Sequence, residues 1–271
     1  MSDRPVVRTR VRAPASAGAP AAATPAVGDG TMRLSKRMAE LGLCSRREAD
    51  EWISRGWVFV DGVKTDVLGS KVTPNQHITV SRAATREQNE RATVLINKPV
   101  GFVSGQAEDG YKPASTLIVP STHWSGDPRQ LAPDWRPPRA LAPAGRLDID
   151  STGLLVLTED GRIARHLIGS DSTIEKEYLV RVAGDLPASG LNRLRHGLVM
   201  DGVALERALV NWLNDDQLRF VLIEGRKRQI RRMCEMVGLE ILGLKRVRIG
   251  RVMLGDLPVG EWRYLTRDES F

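Results

Sequence analysis

The run Gly145-Arg-Leu-Asp-Ile-Asp-Ser-Thr-Gly-Leu-Leu-Val-Leu-Thr-Glu-Asp-Gly161 constrains the fold of this chain more than any other stretch. Leu154 to Leu157 form an apolar run of the length of a buried strand. The strand is closed by a Glu159-Asp160-Gly161 turn and preceded by Ser151-Thr152-Gly153. Asp148 therefore sits on a short loop fixed by a core strand, the placement in which loops carry chemistry on a rigid scaffold. Asp150 and Asp160 read as turn-forming residues.

The formal charge of +7 over 271 residues favours an anionic partner, of which nucleic acid is the commonest. Cys44 and Cys234 lack the spacing of a disulfide pair or a zinc site, and both read as small buried residues. His77, His123, His166 and His196 are scattered, so neither a metal nor a cofactor is expected. No apolar run approaches a membrane span, and the N-terminus has no apolar signal core, so a cytoplasmic location is expected. Residues 1–31 are rich in Ala, Pro and Gly, with Arg4, Arg8, Arg10 and Arg12 interspersed. They read as a disordered tail, either a weak electrostatic arm or a dispensable extension.

A compact module is expected over 32–82. Leu34, Met38 and Leu41 recur at helical spacing before Gly42. Ser45-Arg46-Arg47-Glu48 forms a capping box for a second helix, with Ala49, Trp52 and Ile53 on its apolar face. Val58 to Val60 then lead into an Asp61-Gly62 hairpin turn, and His77 to Val80 read as a further strand. Arg33, Lys36, Arg37, Arg46 and Arg47 lie off the apolar stripes, as residues of a solvated face or of a contact with an anionic partner do. Residues 83–92 are polar and read as a linker.

The second domain spans 93–271. It begins at the strand Val94 to Asn97, followed by Lys98-Pro99-Val100-Gly101. Residues 106–142 are Pro-rich and aperiodic, a long loop in which Trp124 and Trp135 either stack on bases or pin the loop to the body; pinning is expected. Helices are expected at 162–168, 188–196 and 227–237, and strands at 178–182, 218–223, 247–254 and 262–265, an α+β arrangement. On the 227–237 helix, Ile230, Met233, Cys234 and Val237 share one face. Arg228 and Arg232 lie opposite, where they are candidate contacts for an RNA phosphate, and Arg231 falls at the edge between them. Residues 226–251 hold nine basic and two acidic residues, and Lys245, Arg246, Arg248 and Arg251 alternate with apolar ones, so strand period predicts a basic track for an RNA backbone.

These motifs together resemble those of the RsuA/RluB/RluE/RluF family of rRNA pseudouridine synthases. The resemblance rests on Gly145 to Gly161, Lys176-Glu177-Tyr178, and Glu224-Gly-Arg-Lys-Arg-Gln-Ile-Arg-Arg-Met233. The 32–82 module in turn resembles an S-four-type (αL) RNA-binding domain. The resemblance implies a catalytic domain with a central, mainly antiparallel sheet, flanking helices and a basic cleft. It implies isomerisation of uridine to pseudouridine in rRNA without a cofactor; nothing in the sequence suggests a dimer, so a monomer is expected. Asp148, flanked by Gly-Arg-Leu and Ser-Thr-Gly-Leu-Leu, matches the catalytic acid, Arg231 its basic partner and Tyr178 the active-site aromatic. Arg146 matches an arginine associated with the flipped nucleotide. Glu175 to Val180, Arg228 to Glu235 and Pro258 to Arg263 are similar to the RluF branch, which implies 23S rRNA as the target.

Overall fold

The structure is a computed structural model that describes residues 30–138 and 140–271. Almost all of the expected disordered tail lies outside the described residues. The N-terminal module has helices α1 (Leu34–Glu40) and α2 (Arg46–Ser54) and a three-stranded sheet of Val58–Val60, Val63–Lys64 and Ile78–Val80. Ser45 and Glu48 close the capping box in both directions. Asp61 and Gly62 both have positive φ, as the two-residue hairpin requires. Leu34, Met38, Trp52 and Ile53 form the module's small core.

The segment expected as a linker is instead helix α3 (Arg82–Glu90). Ser81 caps it by accepting from the Ala84 N–H at 3.2 Å, and Ala84 and Gln88 are buried. Its polar composition hid a helix with only a narrow buried edge. Arg91 then ties the two domains together. Its Nε lies 3.1 Å from Glu48 Oε1, and its Nη1 donates to the Glu159 carbonyl at 3.0 Å. Gly161 abuts the capping box, where an added Cβ would meet the Ser45 Cβ at 2.2 Å.

The second domain is built on a nine-stranded sheet. Its main path runs Leu209–Asn214, Gln217–Leu222, Lys176–Ala183, Glu240–Ile249, Thr152–Thr158, Thr93–Lys98 and Trp262–Tyr264. Every pairing along it is antiparallel except that of Thr152–Thr158 with Glu240–Ile249. The expected strand at 247–254 is thus displaced: the long strand begins at Glu240, and Val252–Met253 folds back on it as a hairpin. Helices α4 (Gly161–Ile168), α5 (Ala188–Arg195) and α6 (Gln229–Glu235) complete the domain. Phe220, Met233 and Cys234 centre one core, and Leu155, Leu157 and Trp262 another. Cys44 and Cys234 are buried and unpaired, and burial pushes both thiols up to about 12.

The Pro-rich loop is pinned, as the aromatic residues predict. Trp135 stacks on Trp262 at 5.4 Å and donates from Nε1 to the Tyr264 hydroxyl at 2.9 Å. Buried Asp127 accepts from the Tyr264 N–H at 2.8 Å and pairs with His123 Nε2 at 2.9 Å.

Candidate active site

The Asp148 loop joins the short strand Ala142–Pro143 to Thr152–Thr158 and is held from three sides. Ser104 Oγ accepts from the Leu147 N–H and donates to the Leu147 carbonyl, both at 2.8 Å. The Ile149 carbonyl accepts from the Gly101 N–H at 2.9 Å. Arg246, only 2% exposed, donates to the carbonyls of Leu154 at 2.8 Å and of Gly145 and Arg146 at 3.3 Å. A turn closes locally where Ser151 N–H donates to the Asp148 carbonyl at 3.1 Å. Gly153 follows at φ +106°, and a Cβ there would lie 2.2 Å from the Arg246 carbonyl oxygen. Only glycine permits this close strand approach.

The Asp148 carboxylate is about one-third exposed, at the mouth of this loop. Helix α6 faces it. Arg228 has a left-handed backbone (φ 53°) just before the helix, and Arg231 lies within its first turn. Arg231 Nε is 3.9 Å and Arg228 Nη1 4.0 Å from Asp148 Oδ2. Both guanidiniums also reach Asp150, Arg228 through two hydrogen bonds and Arg231 at 3.0 Å. Arg231 donates further to the Asp150 carbonyl at 2.9 Å and to Ser151 Oγ at 3.2 Å. Burial alone would raise the Asp150 carboxyl, but hydrogen bonds from Arg228 and the charges of both arginines outweigh it and hold it below the ordinary carboxylate value. Asp150 is therefore more than a turn residue. Its Asp-x-Asp spacing from Asp148 was the available signal, and it was masked because turns also favour aspartate.

Lys98 is the other residue that sequence reasoning missed. Its side chain is fully buried beneath the loop, and its ammonium donates to the carbonyls of Pro99 at 2.8 Å and Phe102 at 2.9 Å. Desolvation pulls its pKa from 10.5 to about 8, against the opposing pull of Asp150 and Asp148. Between those values the unfolded chain binds more protons than the folded one, so Lys98 makes stability rise as pH rises through that window. The stability of wild type relative to Lys98→Met is expected to rise by about 1–3 kcal/mol from pH 8 to 10.5. Urea unfolding at several pH values measures it, and a gap independent of pH would refute the assignment.

The remaining expected site residues divide. Tyr178 lies opposite Arg246 in the sheet, with the guanidinium 6.0 Å from its ring, on the side of the loop that Arg246 supports. Arg146 is exposed near Glu108, at 3.5 Å. Arg33, Arg46 and Arg47 are exposed and form no ion pair among the described residues, whereas Lys36 and Arg37 lie near Glu40. Arg232 is clasped by Asp201 at 2.6 and 2.8 Å. The expected basic track needs correction. Arg246 is not an RNA contact, because it is buried and spends its donors on backbone carbonyls. Arg248 is neutralised by Glu175 and Glu177, at 2.9 and 2.8 Å. Lys245 is half-buried, and Arg251 is exposed.

A carboxylate one-third exposed on a clamped loop, facing arginines at a helix start and flanked by a basic module, fits an enzyme acting on an anionic polymer. A model described as RNA pseudouridylate synthase matches residues 92–236, and one described as S4 domain matches residues 32–78. The chain belongs to the RNA pseudouridine synthase family, with an S4 domain ahead of the synthase domain. The dual-specificity RNA pseudouridine synthase RluF of Escherichia coli (strain K12) is 36% identical over 243 residues, covering 89% of this chain and 78% of that protein. The ribosomal large subunit pseudouridine synthase B of Bacillus subtilis (strain 168) is 33% identical over 243 residues, covering 88% and 93%. A crystal structure of a pseudouridylate synthase superposes with a TM-score of 0.58 at 27% identity, covering 87% of this chain and 96% of that one. Among the described residues, no helix is long and apolar enough to cross a membrane.

Proposed function

We propose that this protein isomerises one uridine of 23S rRNA to pseudouridine, working as a cytoplasmic monomer. The bond from N1 to the ribose breaks, the freed uracil turns, C5 bonds to the same ribose carbon, C5 releases its proton and N1 takes one up. The reaction is redox-neutral, so it consumes no redox cofactor. In this reading the Asp148 carboxylate meets the anomeric carbon, attacking it or stabilising its positive charge as the bond breaks. Arg231 is the basic partner of Asp148, and Tyr178 stacks on the uracil. A uridine in folded RNA must first be extruded, at a cost of a few kcal/mol, and Arg146 at the loop surface is placed to fill the space it leaves. Arg33, Arg46 and Arg47 of the S4 domain hold a second RNA segment, with Lys36 and Arg37 beside them. Lys245 adds to the RNA contact near the site.

The observation that carries the reading is Arg231 Nε, buried without a hydrogen-bond acceptor and aimed at Asp148 from 3.9 Å. The large-subunit target is supported by the name of the Bacillus subtilis relative. Incubating the purified protein with separate 23S and 16S transcripts tests the choice. One pseudouridine in the 23S transcript is expected; modification of the 16S transcript alone would overturn the target assignment.

A further inference from the structure

Two carboxylates lie within reach of the arginines of α6, and the hydrogen bonds are divided unevenly between them. Asp150 takes two from Arg228, at 3.3 and 3.1 Å, and its Oδ1 lies 3.0 Å from Arg231 Nη2. The Asp148 carboxylate takes none among the described residues. Its guanidinium neighbours stand at 3.9 and 4.0 Å, and the nearer nitrogen, Arg231 Nε, is buried without an acceptor.

The difference matters for a carboxylate that must meet carbon. Hydrogen bonds from a guanidinium engage oxygen lone pairs and draw charge from the carboxylate, so a clasped carboxylate attacks carbon less readily. At about 4 Å the positive charge still acts on the carboxylate, while the lone pairs remain free. Arg231 needs only a small shift to bond Asp148 directly. What holds it back is Asp150, with the Asp150 carbonyl and Ser151 Oγ as further acceptors. Arg228 is held in a left-handed conformation, which is unfavourable for a residue with a Cβ, and its two bonds to Asp150 fix that geometry.

We propose that Asp150 is a positioning residue that draws both guanidiniums off Asp148, so that Asp148 feels their charge but keeps its oxygens free for the ribose. This rests on the reading of Asp148 as the reacting carboxylate. Without the charge of Asp150, the arginines turn to Asp148 and clasp it.

Asp150→Asn in the full-length protein tests the proposal, assayed by single turnover on 23S rRNA. The rate constant is expected to fall about 10- to 100-fold, the loss that follows a misplacement of about 1 Å at a reacting group. RNA affinity and melting temperature should stay near wild type. Asp150→Asn combined with Arg228→Gln should recover part of the rate, because one guanidinium fewer then competes for Asp148. A wild-type rate for Asp150→Asn overturns the proposal. So does a rate loss without recovery in the double variant, or one accompanied by a fall in melting temperature, because either makes Asp150 a structural residue. Asp148→Asn is run alongside. If it remains active, the reading of the site fails; if it is inactive while Asp150→Asn is normal, only the present proposal fails.

Discussion

Asp148→Asn is expected to abolish turnover while leaving RNA affinity within about twofold. The substitution keeps the shape of the side chain and removes its charge. The loop that carries it is fixed by backbone bonds to Ser104, Gly101 and Arg246, none of which involves the Asp148 carboxylate. The backbone cradle should therefore survive the change. The unpaired cations proposed to hold RNA, Arg33, Arg46 and Arg47, lie in the other domain. Loss of a reacting carboxylate costs about four orders of magnitude or more in enzymes that depend on one nucleophile. Release of hydrogen from uridine C5 measures the step directly, because that bond breaks only if C5 joins the ribose. A variant releasing it at a near-normal rate would remove Asp148 from the chemistry.

Arg231→Met should lower turnover about 10²- to 10³-fold, the scale of losing one well-placed charge-stabilising donor. The side chain is mostly buried, so it contributes little to the surface that RNA meets. Its removal strips Asp148 of its nearest cation and leaves the Asp150 carbonyl and Ser151 Oγ without their guanidinium donor. Methionine preserves much of the volume, which limits damage to packing. Arg232→Gln serves as the contrast: that side chain is paired with Asp201, away from the loop, and turnover should stay near wild type. Equal losses in the two variants, or a loss in Arg231→Met confined to RNA affinity, would contradict the role of Arg231.

Much of this was legible in the sequence where a motif states its own geometry. The capping box at Ser45 and Glu48, the Asp61-Gly62 hairpin and the buried strand after Gly153 are local, and each formed where expected. The edge position of Arg231 followed from helical period alone, and the structure places it against Asp148. What stayed hidden depends on contacts between distant segments. Strand alternation placed Arg246 and Arg248 on a basic track, but alternation says nothing about what covers a face. Arg246 is covered by the Gly145–Arg146 loop, roughly a hundred residues earlier, and Arg248 meets acids on the neighbouring strand. Lys98 was read as part of a turn motif, since no local pattern shows that its ammonium lies buried beneath the Asp148 loop. Helix α3 escaped because a helix that buries only Ala84 and Gln88 has no apolar stripe to detect.

The central claim, that this chain makes pseudouridine in 23S rRNA through Asp148, is tested most directly in cells lacking the protein and supplied with either wild type or Asp148→Asn. Pseudouridines are then mapped across both ribosomal subunits at single-nucleotide resolution. One site in 23S rRNA should be absent without the protein, restored by wild type and not restored by Asp148→Asn. Restoration of the site by Asp148→Asn, or an unchanged map in the cells lacking the protein, would contradict it.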